Sequence, residues 1–163
     1  MKVIFLDIDG VLNHEIWFKG WKEYKELCGG IVDHEKRRWF DPRCVALVNR
    51  LTDETNAKIV LSSTWRQGVP VNDLKELLKG VGITGELIDK TPKIYPPAGI
   101  GGSLPRGFEI QTWLKKTKET IESYVILDDD SDMLLEQSSN FIKIDTYCGI
   151  TYNTVTRAKE ILK

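Results

Sequence analysis

The chain has 163 residues, 23 Lys and Arg against 24 Asp and Glu, a formal charge of -1, and 41% hydrophobic and 29% charged residues. That length fits one globular domain over 1–163, and the composition excludes a disordered or low-complexity chain. The charge balance excludes wholesale nucleic-acid binding through a basic surface, no apolar run nears the ~18 residues of a membrane span, and Cys28, Cys44 and Cys148 form no CxxC pair for a disulfide framework or zinc ribbon.

Residues 3–6, Val-Ile-Phe-Leu, form a continuous β-branched run, as expected of a strand covered on both faces. This run is too short for a signal peptide and ends in an acid, so a cytoplasmic protein is expected. Residues 14–40 then interrupt the step from this strand to its helix. Within them Trp17, Trp21, Tyr24 and Cys28 follow i, i+4, i+7, i+11 spacing, which predicts a short amphipathic helix. Asp41 and Pro42 make an N-cap and N1 pair, and Val45, Leu47, Val48 and Leu51 carry the helix toward Asn56.

Residues 58–61, Lys-Ile-Val-Leu, repeat the strand signal. Asn72 is a candidate cap for a helix through Leu74, Leu77 and Leu78 that Gly80 ends. A short strand is expected at 86–88, then a long loop over 91–105 with Pro96-Pro97 and Gly101-Gly102. Phe108, Ile110, Trp113 and Leu114 predict a third helix. Strands follow at 124–127 and 141–144, and Val155, Ala158, Ile161 and Leu162 predict a terminal helix. This alternation implies an α/β fold: a central, mostly parallel sheet with helices on both faces, and 14–40 as a short insertion.

The placement of the acids points to chemistry. Asp7 and Asp9 follow the first strand, and Asp128, Asp129, Asp130 and Asp132 follow the strand at 124–127. In an open parallel sheet the carboxyl ends converge on the ligand site. Carboxylates gathered there repel one another and call for a cation, and oxygen donors suit Mg2+. The strand at 58–61 ends in Ser62-Ser63-Thr64-Trp65-Arg66, whose hydroxyls and backbone N–H groups suit a phosphoryl group. Arg106 opens the third helix as a further oxyanion partner.

These residues resemble the motifs of haloacid-dehalogenase-like (HAD) phosphohydrolases. Asp7-Ile8-Asp9-Gly10-Val11-Leu12 resembles their DxDG[TV]L motif, Val60-Leu61-Ser62 their second, Arg106 their third, and Leu127-Asp128-Asp129-Asp130-Ser131-Asp132 their fourth, in its DD or DxxxD form. The resemblance implies a three-layer Rossmann-like fold and a Mg2+-dependent phosphatase working through an aspartyl-phosphate. Asp7 would be the nucleophile and Asp9 the general acid and base. Mg2+ would be held by Asp7, the Asp9 carbonyl and Asp128, with Asp129 or Asp132 in support. Ser62 and Arg106 would bind the phosphoryl oxygens, with Ser63 an alternative to the first and Lys93 or Lys115 to the second. Asp9, which true dehalogenases lack, favours phosphate chemistry. A receiver-like phosphoacceptor domain is disfavoured, because its acceptor Asp would follow a middle strand, and here the strand at 58–61 ends in serine.

The short 14–40 insertion implies an open site. The Ser-Ser-x-Trp-Arg run at 62–66 and the Arg-Gly-x-Glu-Ile run at 106–110 are similar to HAD phosphatases of nucleic-acid repair, including polynucleotide 3′-phosphatases. The expected substrate is a nucleic-acid 3′-phosphate end or a nucleotide, with another small phosphomonoester as the alternative. Arg37, Arg38 and Arg66 would line its approach, and Trp17 or Trp21 would stack a base if not simply packed on the body. His14 and His34 read as surface histidines without a role, Trp65 and Trp113 as core or rim, and the cysteines as buried and inert. No membrane contact and no obligate protein partner are expected.

Overall fold

The computed structural model of the chain describes residues 1–27, 39–97 and 104–163. Five strands, β1 (Lys2–Leu6), β2 (Lys58–Leu61), β3 (Leu87–Lys90), β4 (Ser123–Asp128) and β5 (Phe141–Lys143), form one parallel sheet in the order β3-β2-β1-β4-β5. β1 lies at the centre, and Val3, Ile4, Phe5 and Leu6 are fully buried, as their continuous apolar run requires.

Five helices, α1 (Glu15–Leu27), α2 (Pro42–Thr55), α3 (Val71–Gly80), α4 (Arg106–Lys116) and α5 (Tyr152–Ile161), connect and flank the strands. Side chains of α2, α3 and α5, among them Val48, Leu51, Leu74, Leu78, Val155 and Ala158, pack with Ile4, Leu6, Ile59, Leu61, Val125 and Leu127 in one cluster. Ile110 and Trp113 of α4 pack with Val3, Phe5, Val60 and Ile126 in a second cluster. Alternate residues of each central strand thus enter opposite layers, the period-2 rule for strands. Trp113 stands edge-on to Phe5 at 5.4 Å and sends its indole N–H to Asp89 Oδ2 at 2.7 Å.

The expected α/β architecture is present, with differences at its margins. α3 begins at Val71 with Pro70 as its N-cap, so Asn72 lies inside the first turn. His14 is not a surface residue. It is 4% exposed, with Nε2 2.9 Å from Asp41 Oδ2 and Nδ1 2.9 Å from the Tyr147 carbonyl. Asp41 also accepts the Arg43 N–H at 2.8 Å, capping α2 as its sequence position predicts. Burial alone would raise the Asp41 carboxyl, but hydrogen bonds from Arg43 and His14 hold it below the usual range. The His14–Asp41 contact therefore joins the two ends of the 14–40 insertion. The first N–H groups of α1 donate to the Thr146 and Tyr147 carbonyls at 3.1 and 3.2 Å. Cys44 is buried, with its thiol pushed up to about 12 chiefly by burial, but Cys148 is exposed, contrary to the sequence reading. Cys28, His34, Arg37, Arg38 and Gly101-Gly102 lie outside the described residues.

Candidate active site

The strand register positions the site. Leu6 pairs with Leu61 on one side and Leu127 on the other, so the next residues, Asp7, Ser62 and Asp128, leave three adjacent strands in one row. Backbone bonds extend the ladder one step past the strands: Asp7 N–H donates to Leu127 O at 3.0 Å and Ser62 N–H to Leu6 O at 2.9 Å. The two acids are therefore held at the end of the central ladder of the sheet.

Asp7 is 3% exposed and Asp128 fully buried. Carboxylate oxygens of Asp7, Asp128 and Asp129 lie within 4.8 Å of one another. Asp129 reaches this cluster across Gly10, whose φ is +72° and whose hydrogen faces the Asp129 carboxylate; a Cβ there would sit 2.1 Å from Asp129 Oδ2. Glycine in the DxDG run thus serves both a left-handed turn and a close approach. Burial raises the Asp128 carboxyl to about 8, with repulsion from Asp7 adding to it and Arg106 offsetting only part. Burial likewise raises Asp7, against the pull of the Arg106 charge and a hydrogen bond from Ser63.

Arg106 stands at the first turn of α4. Its Nη1 lies 2.8 Å from Asp7 Oδ1 and 3.1 Å from Asp128 Oδ2, and donates to the Ser62 carbonyl at 3.1 Å. Charge is close, yet Asp7 Oδ1 and Asp128 Oδ2 make no well-aligned hydrogen bond, and Ser62 Oγ has no partner either. Such buried acceptors are costly unless something completes them. The carboxylates of Asp7 and Asp128, both ion-paired with Arg106, form with that of Asp129 an all-oxygen donor set that fits Mg2+. Ser63 differs from Ser62: its hydroxyl accepts the Trp65 N–H at 3.4 Å as the cap of a short 3-10 turn and also hydrogen-bonds Asp7. Lys93, the sequence alternative to Arg106, instead pairs with Glu109 at 3.5 Å. Lys115 belongs to the last turn of α4.

Asp9 is exposed at the mouth of the row. Asn13 Nδ2 donates to its Oδ1 at 2.9 Å, and Trp65 Nε1 reaches Oδ1 and Oδ2 at 3.1 and 2.9 Å. The sequence reading assigned neither Asn13 nor Trp65 to the site. Asn13 follows Asp9 by four residues in a turn rather than a helix, and Trp65 reads equally well as core.

Two assignments change. Arg66 does not line an approach to the site: it is 2% exposed, and it ion-pairs with Glu109 in the interior. It also donates to the carbonyls of Ser62 and Ser63 at 2.6 Å and of Thr91 at 2.8 Å. Burial lowers its guanidinium from the ordinary value despite Glu109, which works the other way. Asp132 stands apart from the acid cluster as a cap for α4, accepting the Arg106 N–H at 2.7 Å. It therefore bears on Arg106, and Asp129 is the fourth-motif acid that meets Asp7 and Asp128. Trp17 and Trp21 are half-buried on α1.

Among the described residues, no helix is long and apolar enough to cross a membrane. The model of the family described as "HAD domain in Swiss Army Knife RNA repair proteins" matches residues 3–155. No curated protein and no solved structure matches the chain.

Proposed function

The chain belongs to the HAD domains of Swiss Army Knife RNA repair proteins, and from that premise we propose that it is a Mg2+-dependent phosphomonoesterase that clears a phosphate from a nucleic-acid 3′ end or a nucleotide. Phosphatase-type chemistry agrees with the family. The observation that carries the finer reading is the row Asp7, Ser62 and Asp128, with Arg106 2.8 Å from Asp7 and buried carboxylate oxygens left without hydrogen bonds.

Each residue has a task in this reading. Asp7 attacks phosphorus, the ester P–O bond breaks, and an aspartyl-phosphate forms. Asp9 gives its proton to the departing oxygen. Asp9 then takes a proton from water, the water oxygen attacks phosphorus, and Asp7 is released with inorganic phosphate. The Ser62 hydroxyl, which has no protein partner among the described residues, and the Arg106 guanidinium bind the phosphoryl oxygens. Asp7, Asp128 and the Asp9 carbonyl would hold Mg2+, with Asp129 in support, and the ion would neutralise charge between nucleophile and phosphate.

The substrate class rests on the family description and the shortness of the 14–40 insertion. Trp17 or Trp21 would stack a terminal base, and Arg37 and Arg38 would meet the backbone. The test compares kcat/KM for a 3′-phosphorylated oligoribonucleotide, a mononucleotide and a sugar phosphate at two salt concentrations. The nucleic-acid end or nucleotide should be preferred, with modest salt dependence because few phosphates are contacted. A clear preference for the sugar phosphate, unaltered in Arg37→Ala and Arg38→Ala, would defeat the substrate reading and leave the phosphatase reading standing.

A further inference from the structure

A carboxylate that works as acid and base must point at the right oxygen, and geometry precedes acidity in that task. Asp9 is an exposed aspartate in a loop, a setting in which a side chain ordinarily samples several rotamers. Here it is held from two sides. Asn13 Nδ2 donates to Oδ1 at 2.9 Å, while the amide oxygen of Asn13 accepts the Gly10 N–H at 3.0 Å, so this buried amide is fixed at both ends. Trp65 Nε1 spans both Asp9 oxygens at 3.1 and 2.9 Å. The indole N–H is a donor only, so it offers Asp9 one unambiguous orientation.

Trp65 is itself immobilised. It lies in the turn Thr64–Arg66 after β2, which Ser63 caps and Arg66 anchors to Glu109. Its ring stands edge-on to Phe40 at 5.5 Å, and Phe40 is 1% exposed. Phe40 ends the 14–40 insertion, and the next residue ties back to the first-motif loop through the Asp41 N–H and the Leu12 carbonyl at 2.8 Å. The neighbour of Phe40, Trp39, meets Phe18 of α1 at 6.0 Å. Two aromatic contacts, joined by the peptide bond between Trp39 and Phe40, thus link α1 and the end of the insertion to the donor on Asp9.

We propose that Trp65 and Asn13 are positioning residues that aim the Asp9 carboxylate at the leaving oxygen, and that Trp65 couples this aim to the exit of the 14–40 insertion through Phe40. The proposal rests on the reading of Asp9 as acid and base. It assigns the Trp of the Ser-Ser-x-Trp-Arg run a task other than packing.

Leaving-group dependence separates positioning from structure. An alkyl phosphomonoester needs its leaving oxygen protonated, and a nitrophenyl phosphate needs this far less. Trp65→Phe keeps an aromatic ring beside Phe40 and removes the N–H donor together with part of the indole. Its kcat/KM on the alkyl ester should fall about tenfold, a fraction of the ~10²–10⁴ that general acid–base catalysis supplies, and by a smaller factor on the aryl ester. Melting temperature and Mg2+ affinity should stay near wild type. Asn13→Ala should shift the alkyl-to-aryl ratio the same way, and the double variant should approach the ratio of Asp9→Asn. If Asp9→Asn discriminates between the esters and Trp65→Phe lowers both equally, or neither, the positioning role is wrong and the acid reading survives. If Asp9→Asn lowers both equally, the acid reading fails and the proposal with it.

Discussion

Gly10 illustrates how one residue joins backbone conformation to acid chemistry. Its φ of +72° is the region that other residues adopt only under strain, and its missing side chain admits Asp129 to the cluster. Gly10→Ala should destabilise the fold by about 1–2 kcal/mol from the backbone alone, and should push Asp129 away from Asp7 and Asp128. Thermal unfolding and Mg2+ titration calorimetry read the two effects separately, and an unchanged Mg2+ affinity would remove Asp129 from the metal's support. Asp7 and Asp128 lead to a second expectation. Their carboxyls are raised by burial, Asp128 to about 8. A raised carboxyl contributes stability that is complete below its unfolded value of ~3.9 and lost as pH climbs through the folded one. The metal-free protein should therefore lose melting temperature between about pH 4 and pH 8. Asp128→Asn should flatten that slope, and Mg2+ should stabilise wild type more at the alkaline end, where it no longer competes with a proton. A metal-free melting temperature that rises over this window, equally in both proteins, would contradict the assignment.

At the level of elements, the Arg66–Glu109 pair fastens the loop after β2 to the first turns of α4. It thereby holds Ser62 and Arg106 in one frame. Glu109→Ala strands a buried guanidinium and should cost about 3–5 kcal/mol, seen as a lower urea midpoint. Replacing both residues with apolar side chains should not restore the loss, because the Thr91 carbonyl would lose its donor and those of Ser62 and Ser63 would each lose one of two. Recovery to wild-type stability would show that Arg66 acts through charge alone. This pair also marks the limit of what sequence patterns convey. The strands at 58–61 and 124–127, the Asp41-Pro42 start of α2 and the acids after β1 and β4 were legible, because periodicity and caps are local signals. Arg66 and Glu109 stand 43 positions apart, and His14 and Asp41 stand 27 apart. No local pattern announces such partners, so Arg66 read as a surface cation and His14 as a surface histidine. Asn72 reads as the cap of α3, whereas Pro70, with no side-chain hydrogen bond to signal it, takes that position.

Across the whole molecule, function follows from register. A parallel sheet with β1 in the middle brings the ends of β2, β1 and β4 together, and the residues there are Ser62, Asp7 and Asp128. A slip of one residue in any of these strands would turn its side chain to the other face and dismantle the site. On the proposed reading, the shortness of the 14–40 insertion in sequence favours the end of a polymer over a ligand that must be enclosed. The central claim is that Asp7 in this row transfers phosphate to itself with Mg2+ present. The most direct measurement is phosphate release from a 3′-phosphorylated oligoribonucleotide by wild type and Asp7→Asn, each with Mg2+ and with excess EDTA. The account predicts turnover for wild type with Mg2+ alone, and a loss of several orders of magnitude in Asp7→Asn with its melting temperature preserved. Turnover that persists in EDTA, or near-normal activity of Asp7→Asn, would contradict it.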